Sequence, residues 1–303
     1  MNAPKEKIKI VVIVGPTASG KSDLAVETAL RYYGEVISAD SRQVYRGLDL
    51  GTGKITAAEM QGVPHHCLDI ADPQERFTAM DWKNAAVKAI EDIRSRGKLP
   101  IICGGTGFYI SALVDDLGFP EVEADTEEQK ALEAKTVEEL FEELKKLDPA
   151  RAATIDLKNK RRLSRSILIA RELGNVPVLE KKESAYAPIM IGVTMSSTEL
   201  KKRIRARILA RFEAGMIDEA KKVHADKPAG LGLSYERMDE LGLEYRFLAQ
   251  YLQNKMSFEV LIETLGIKIG QYAKRQKTWF KKDTRITWLE QPIRPEMVDE
   301  LIK

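Results

Sequence analysis

Gly15, Pro16, Thr17, Ala18, Ser19, Gly20, Lys21 and Ser22 read GPTASGKS, the GxxxxGK[ST] spacing of a loop that wraps a phosphate. Backbone N–H groups of such a loop, and of the helix it opens, point at phosphate oxygens. Lys21 would add a point charge and Ser22 a hydroxyl for Mg²⁺. A nucleoside triphosphate is the first ligand this spacing suggests, so the group standing opposite the phosphates decides the chemistry. ISADSRQVY, residues 37–45, sets Asp40 at a strand tip with Ser41, Arg42 and Gln43 directly after it. A carboxylate there either holds a metal through water or acts as general base on an acceptor, and the residues alone leave both open. A second glycine-rich turn, CGGTG at 103–107, presents Thr106.

The remaining metal candidates are weak. His65 and His66 are adjacent, which rarely lets both reach one ion, and the only other histidine is His224; a structural role is expected. Cys67 and Cys103 stand alone, without metal-finger spacing, so neither zinc nor a disulfide is expected and both read as buried apolar residues in a reducing compartment.

These groups need elements to hold them. Residues 9–14 (KIVVIV) form an apolar, β-branched run, as in a strand buried on both faces of a parallel sheet. The phosphate loop ends it, a helical pattern runs over 21–33 until Gly34, and residues 35–39 give a second strand ending at Asp40. This is a βαβ unit. A helix over 79–96 and a strand over 99–103 lead into the second glycine turn. Ligands of an open parallel sheet lie at the carboxyl ends of its strands, so both loops and Asp40 are expected to converge. Residues 119–187 read as a helical insertion. A strand over 188–194, a helix capped by Ser196 or Ser197, a loop over 231–242, a helix over 256–283 and a closing helix after Pro292 complete the core.

Net charge is only +2 across 303 residues, but the charges are segregated. Residues 121–148 hold eleven acids against four lysines, while 158–171 hold six basic residues and no acid. Residues 199–211 hold six basic residues against one acid, and 268–285 hold seven against one. Three basic clusters in a nearly neutral chain point to a local polyanion footprint. No stretch has the length and apolarity of a membrane helix, and the polar start carries no signal-peptide core, so a cytoplasmic location is expected; a monomer is expected as well.

In order along the chain, GPTASGKS (15–22), ISADSRQVYRGLDLGTGK (37–54), VPHHCLDIADP (63–73), CGGTGFY (103–109), RRLSR (161–165) and AKRQKTWFKKD (273–283) closely resemble bacterial tRNA dimethylallyltransferases. The likeness is collinear over almost the whole chain and loose only near 119–158. It implies an α/β fold: a P-loop NTPase-like parallel sheet core with helices on both faces, formed by 1–118 and 188–303, plus a mainly helical insertion domain, 119–187, that contacts tRNA. It also implies transfer of a dimethylallyl group from dimethylallyl diphosphate to N6 of the adenosine 3′-adjacent to the anticodon, position 37, with Mg²⁺. By the same resemblance Asp40 accepts the amine proton, Thr106 assists at the diphosphate end and Arg207 neutralises charge. Asp40, Ser41, Arg42 and Gln43, and Arg161, Arg162, Leu163, Ser164 and Arg165, resemble tRNA-contacting segments of the anticodon stem-loop site. Lys274 and Arg275, near Tyr272, Trp279 and Phe280, combine charge with stacking surface.

Three places depart from the pattern. Glu127, Glu128, Gln129 and Lys130 stand where the family places an arginine, Glu244 and Tyr245 where it has a glycine-tyrosine pair, and Gly270 and Gln271 where it has threonine-arginine. Two rival activities share this loop: prenyl transfer to a free adenine nucleotide, and phosphoryl transfer from ATP by a small-molecule kinase. The basic clusters count against the first, because a mononucleotide needs no such footprint.

Overall fold

The structure, a computed structural model, describes residues 7–120, 122, 126–157, 159–179, 183–226 and 230–302. The polar start at 1–6, and Glu121 and Lys158 at the edges of two charge clusters, lie outside them. In chain order the elements are β1 (Ile8–Val14), α1 (Lys21–Tyr32), β2 (Gly34–Ala39), α2 (Ala57–Met60), β3 (His65–His66), α3 (Ala79–Ser95), β4 (Leu99–Gly104) and α4 (Gly107–Val114). Next come α5 (Thr126–Ala134), α6 (Val137–Leu147), α7 (Pro149–Ala152) and α8 (Lys160–Leu173). The chain closes with β5 (Tyr186–Thr194), α9 (Ser197–Glu213), α10 (Met216–His224), α11 (Tyr235–Leu241), α12 (Leu243–Leu252), α13 (Phe258–Phe280), β6 (Thr287–Glu290) and α14 (Pro295–Ile302).

The chain divides into two compact units, residues 1–116 with 183–303, and residues 117–182. The first is built on a six-stranded sheet of order β3-β2-β4-β1-β5-β6, parallel at every pairing. β1 lies between β4 and β5, with Val11 opposite both Ile101 and Ile189. Ile10, Val12 and Val14 enter one apolar core and Val11 and Ile13 the other, all fully buried. That two-sided burial is why the run is continuously apolar, with helices covering both faces. The α/β parallel fold is therefore the one expected. The carboxyl ends of β1, β2 and β4 deliver the phosphate loop, Asp40 and the 104–107 turn to one edge.

Local details differ from expectation. Gly34 does not stop α1; Tyr33 ends the helix in left-handed geometry, φ 53°. Gly34 belongs to β2, where a Cβ would meet the Leu99 carbonyl at 2.7 Å. Residues 231–242 are not one loop, because Ser234 caps α11 by accepting the Arg237 N–H at 3.1 Å and only Gly242, φ 76°, breaks it from α12. β3 and β6 are too short to show any periodicity. Ser196 is the cap of α9, accepting the Glu199 N–H at 3.2 Å.

The second unit is helical. α5, α6 and α8 close on Leu132, Leu140, Leu144, Leu163 and Ile167, and Asp148 joins two segments by accepting the N–H groups of Arg151 and Val176, both at 2.8 Å.

His66 proves structural. Its Nε2 meets Glu35 Oε2 at 2.7 Å, and Glu35, 0% exposed, also receives Arg96 Nη2 at 2.8 Å and Lys98 Nζ at 2.7 Å. The hydrogen bonds from Arg96 above all hold the Glu35 carboxyl well below the usual carboxylate range. A depressed folded pKa means this stabilisation is complete above the unfolded glutamate pKa and is lost as pH falls through the folded value. Glu35→Ala takes away the shared partner of His66, Arg96 and Lys98, whose side chains are partly in solvent, and is expected to cost about 1–3 kcal/mol, seen as a lower urea midpoint at neutral pH and a smaller difference from wild type in acid.

Candidate active site

The phosphate loop is shaped by two left-handed residues, Ala18 at φ 63° and Gly20 at φ 87°, and by a tight turn in which the Ser19 N–H donates to the Pro16 carbonyl at 3.3 Å. Gly15 is fixed by space: a Cβ would lie 2.7 Å from the Val193 carbonyl. Gly20 caps α1 without any side chain, leaving the first-turn amides facing the loop as an anion site needs. Lys21 folds back, its Nζ 3.5 Å from the Pro16 carbonyl. Burial lowers the Lys21 pKa, while Asp40 is near enough to raise it and Arg207 to lower it further. Ser19 Oγ is buried without a hydrogen-bond partner among the described residues.

One pocket is lined by Thr17, Lys21 and Ser22 of the loop, by Asp40 and Gln43, by Cys103, and by Arg207 and Arg211 of α9. Ala25, Val36 and Ile55 give it an apolar wall. Asp40 is held by its own turn: Oδ1 accepts the Arg42 N–H at 2.9 Å and the Gln43 N–H at 3.4 Å. Gln43 Nε2 donates to the Gly53 carbonyl at 3.1 Å. Thr106 precedes α4; its N–H donates to the Ala39 carbonyl at 3.1 Å and its Oγ1 accepts the Ser41 N–H at 3.0 Å. The second glycine turn is thereby tied to the strand end that carries Asp40. Gly104 permits this crossing, since a Cβ there would fall 2.1 Å from the Ala39 carbonyl.

Arg207 reaches the pocket from α9 with its side chain partly in solvent. Protein packed around the guanidinium lowers its pKa, and Arg211 adds to the lowering. Burial also pushes the Cys103 thiol up to about 11, so this pocket cysteine is no nucleophile at neutral pH. His65 joins the lining too, with Nδ1 2.9 Å from the Val63 carbonyl. Among the described residues no cluster of three or more His, Cys, Asp or Glu is arranged to hold a metal ion, and no helix is long and apolar enough to cross a membrane.

A protein-family model described as IPP transferase matches residues 43–283. The chain belongs to the IPP transferase family. It is 41% identical over 293 residues to the tRNA dimethylallyltransferase of Halalkalibacterium halodurans, covering 94% of this chain and 91% of that one. It resembles the solved full-length tRNA isopentenylpyrophosphate transferase of Bacillus halodurans, with TM-score 0.70 and 39% identity over 98% of this chain and 95% of that one. A solved eukaryotic dimethylallyltransferase acting on tRNA is similar at TM-score 0.76 and 25% identity, over 93% of this chain and 74% of that one.

Within this IPP transferase, the motifs outside the pocket fare unevenly. Of the RRLSR run on α8, Leu163 is fully buried and Ser164 donates to the Lys160 carbonyl at 3.1 Å, so both side chains are turned into their own helical unit. Their places are set by the core of their own helical unit. Arg162 is exposed, and Arg165 donates to the Val122 carbonyl at 2.9 Å. On α13, Lys274 and Arg275 are exposed, with the Arg275 guanidinium 5.7 Å from the Tyr272 ring centre. Phe280 is core, whereas Trp279 is 44% exposed and covers Gly107. Lys130, set where the family has an arginine, pairs with Glu127 at 3.0 Å on the surface of α5.

Other members of the IPP transferase site carry no motif signal. Arg211 is clamped by Glu244 at 3.2 Å and lies against Gly53 so closely that a Cβ there would meet its Nη2 at 1.7 Å. Burial raises the Glu244 pKa and Arg211 opposes that. The departure at 244 and 245 thus has a local partner for each residue, because the Tyr245 hydroxyl donates to Glu219 at 2.7 Å. Glu219 in turn accepts the N–H groups of Asp49, Leu50 and Gly51 at 3.1, 2.7 and 2.7 Å, fixing the segment that leads to Gly53. In the sequence Glu244 and Tyr245 stand out only as departures from the family pattern and Arg211 only as one of a basic cluster, while Glu219 carries no signal.

Proposed function

We propose that this chain transfers a dimethylallyl group from dimethylallyl diphosphate to N6 of the adenosine 3′-adjacent to the tRNA anticodon, position 37, releasing diphosphate. The observation that carries the reading is one pocket holding a phosphate loop, an apolar wall and the Asp40 carboxylate together. Free amides at the start of α1, Lys21 and Arg207 stabilise charge on a departing diphosphate. Ala25, Val36 and Ile55 give this mainly polar pocket an apolar stretch for the hydrocarbon end of the donor. The C1–O bond of the donor breaks with its electron pair leaving on diphosphate. The N6 lone pair then forms the C–N bond, and the amine proton passes to Asp40, whose other partners are main-chain N–H groups. Thr106 is tied to the acceptor end through Ser41.

The donor set fits Mg²⁺. One hydroxyl, Ser22, beside a diphosphate suits a hard cation that keeps several waters and takes its other ligands from phosphate oxygens. Bound there, Mg²⁺ would screen the diphosphate charge and ease its departure.

An adenosine at the edge of an anticodon loop leaves its stack at modest cost. Lys274 and Arg275 on α13 and Arg42 beside Asp40 supply contacts to the RNA backbone, and the family relatives named for tRNA support that acceptor. The deciding experiment incubates the protein with labelled dimethylallyl diphosphate and total tRNA, then digests to nucleosides. Label in N6-modified adenosine from tRNA, and tRNA binding that weakens steeply with salt through counterion release, are the expected results. Label entering only AMP, or phosphoryl transfer from ATP unaffected by dimethylallyl diphosphate, overturns the reading.

A further inference from the structure

Gln276 lies on the buried face of α13, 5% exposed, and both ends of its amide are committed to different loops. Oε1 accepts the Thr17 N–H of the phosphate loop at 2.8 Å. Nε2 donates to the carbonyl of Gly105 in the second glycine turn at 2.9 Å. The approach is so close that a Cβ on Gly105 would lie 2.1 Å from Nε2. The Thr17 amide is therefore an anchor and no part of the phosphate cradle.

Resting on the prenyl-transfer reading, we infer that Gln276 is a positioning residue of the reaction, a latch that sets the spacing between leaving group and acceptor. The bonds form one chain. Thr17 is held by Gln276, Gln276 holds Gly105, and the adjoining Thr106 is bonded to Ala39 and Ser41 on either side of Asp40. One end of this chain lies in the phosphate loop and the other carries the base. Bond breaking at C1–O and bond making at C1–N must share one axis, so the distance between the ends is a catalytic quantity. Misplacement by about 1 Å can cost about a hundredfold in rate. The chemistry of the latch is specific: one loop offers a donor and the other an acceptor, which a neutral amide satisfies at once and neither a carboxylate nor an ammonium can. The same turn of α13 exposes Lys274, Arg275 and Lys277 at its surface or rim, so the helix turn that meets polyanion also carries the latch.

Gln276→Met preserves length and removes both hydrogen bonds; Gln276→Glu keeps an acceptor for Thr17 but sets a carboxylate oxygen against the Gly105 carbonyl. Each is compared with wild type in single-turnover transfer, with binding of inorganic diphosphate and of tRNA measured separately and folded fraction matched by circular dichroism. Gln276→Met is expected to lower kcat by about 10- to 100-fold while both dissociation constants stay within about threefold. Gln276→Glu is expected to regain rate as pH falls, because the protonated carboxyl again offers one donor and one acceptor, a limb absent from wild type. A Gln276→Met enzyme within about twofold of wild-type kcat per folded molecule overturns the latch, as does a Gln276→Glu profile parallel to wild type. If wild type itself transfers no label, the reading and the latch both fall; an active wild type with an unaffected variant removes the latch alone.

Discussion

Asp40→Asn lowers single-turnover prenyl transfer by about a thousandfold, with tRNA affinity changed less than about threefold. The asparagine carbonyl still accepts the Arg42 and Gln43 N–H groups that orient the wild-type carboxylate at 2.9 and 3.4 Å, so the turn survives and only proton acceptance is lost. Adenine's exocyclic amine is a poor nucleophile, its lone pair being delocalised into the ring, and a base is most useful where the nucleophile is weakest. Asp40→Ala loses the turn as well and is expected to be slower still, with weaker tRNA binding through Ser41 and Arg42. Transfer by Asp40→Asn at near wild-type rate would remove Asp40 from the base role and leave the metal-holding alternative.

Lys21→Ala is the second large effect, a loss of about a hundred- to a thousandfold in kcat/KM for the donor. Lys21 is the loop side chain that brings full positive charge to the phosphates, and it is already folded against the Pro16 carbonyl, so little ordering remains on binding. Its pH dependence has a definite sign. Only the ammonium form attracts diphosphate, and burial lowers the Lys21 pKa in the free protein. kcat/KM, which reports the free enzyme, should therefore fall on the alkaline side at a pH below that of an ordinary lysine. The bound diphosphate favours the charged form, so the matching limb in kcat moves to higher pH. Lys21→Ala should erase the difference between the two limbs, and Lys21→Arg should not restore rate, because a planar guanidinium does not replace a compact ammonium in an enclosed loop. An alkaline limb that persists in Lys21→Ala assigns it to another group.

Arg211 and Glu244 show how a departure from a family pattern is absorbed. A buried glutamate alone would be costly, and the arginine 3.2 Å away supplies its counter-charge. Arg211 lies against Gly53, whose carbonyl receives Gln43, the second residue of the Asp40 turn to contact the pocket. The pair therefore supports the acceptor side of the site and leaves the phosphate loop untouched.

What the amino-acid sequence determined by itself is short-ranged. β1, the phosphate loop, α1 and β2 lie within 8–39 and are legible because strand burial, loop glycines and helix periodicity all act over a few residues. Asp40 is legible for the same reason, standing directly at the end of β2, and Thr106 stands in a glycine turn past the end of β4. Charge segregation is likewise visible without any fold. Tertiary structure alone decided what joins these pieces. Thr17 and Gln276 are separated by 259 residues and Gly105 and Gln276 by 171; no local periodicity encodes such a contact. Leu163 and Ser164 have the sequence of RNA-facing neighbours of arginines, yet burial on α8 assigns them to the core of the helical unit. Gly34 has the place of a helix stop, while its need is for space beside Leu99. A glycine, a glutamine or a glutamate has many uses in a chain, and only the atoms packed around it select one.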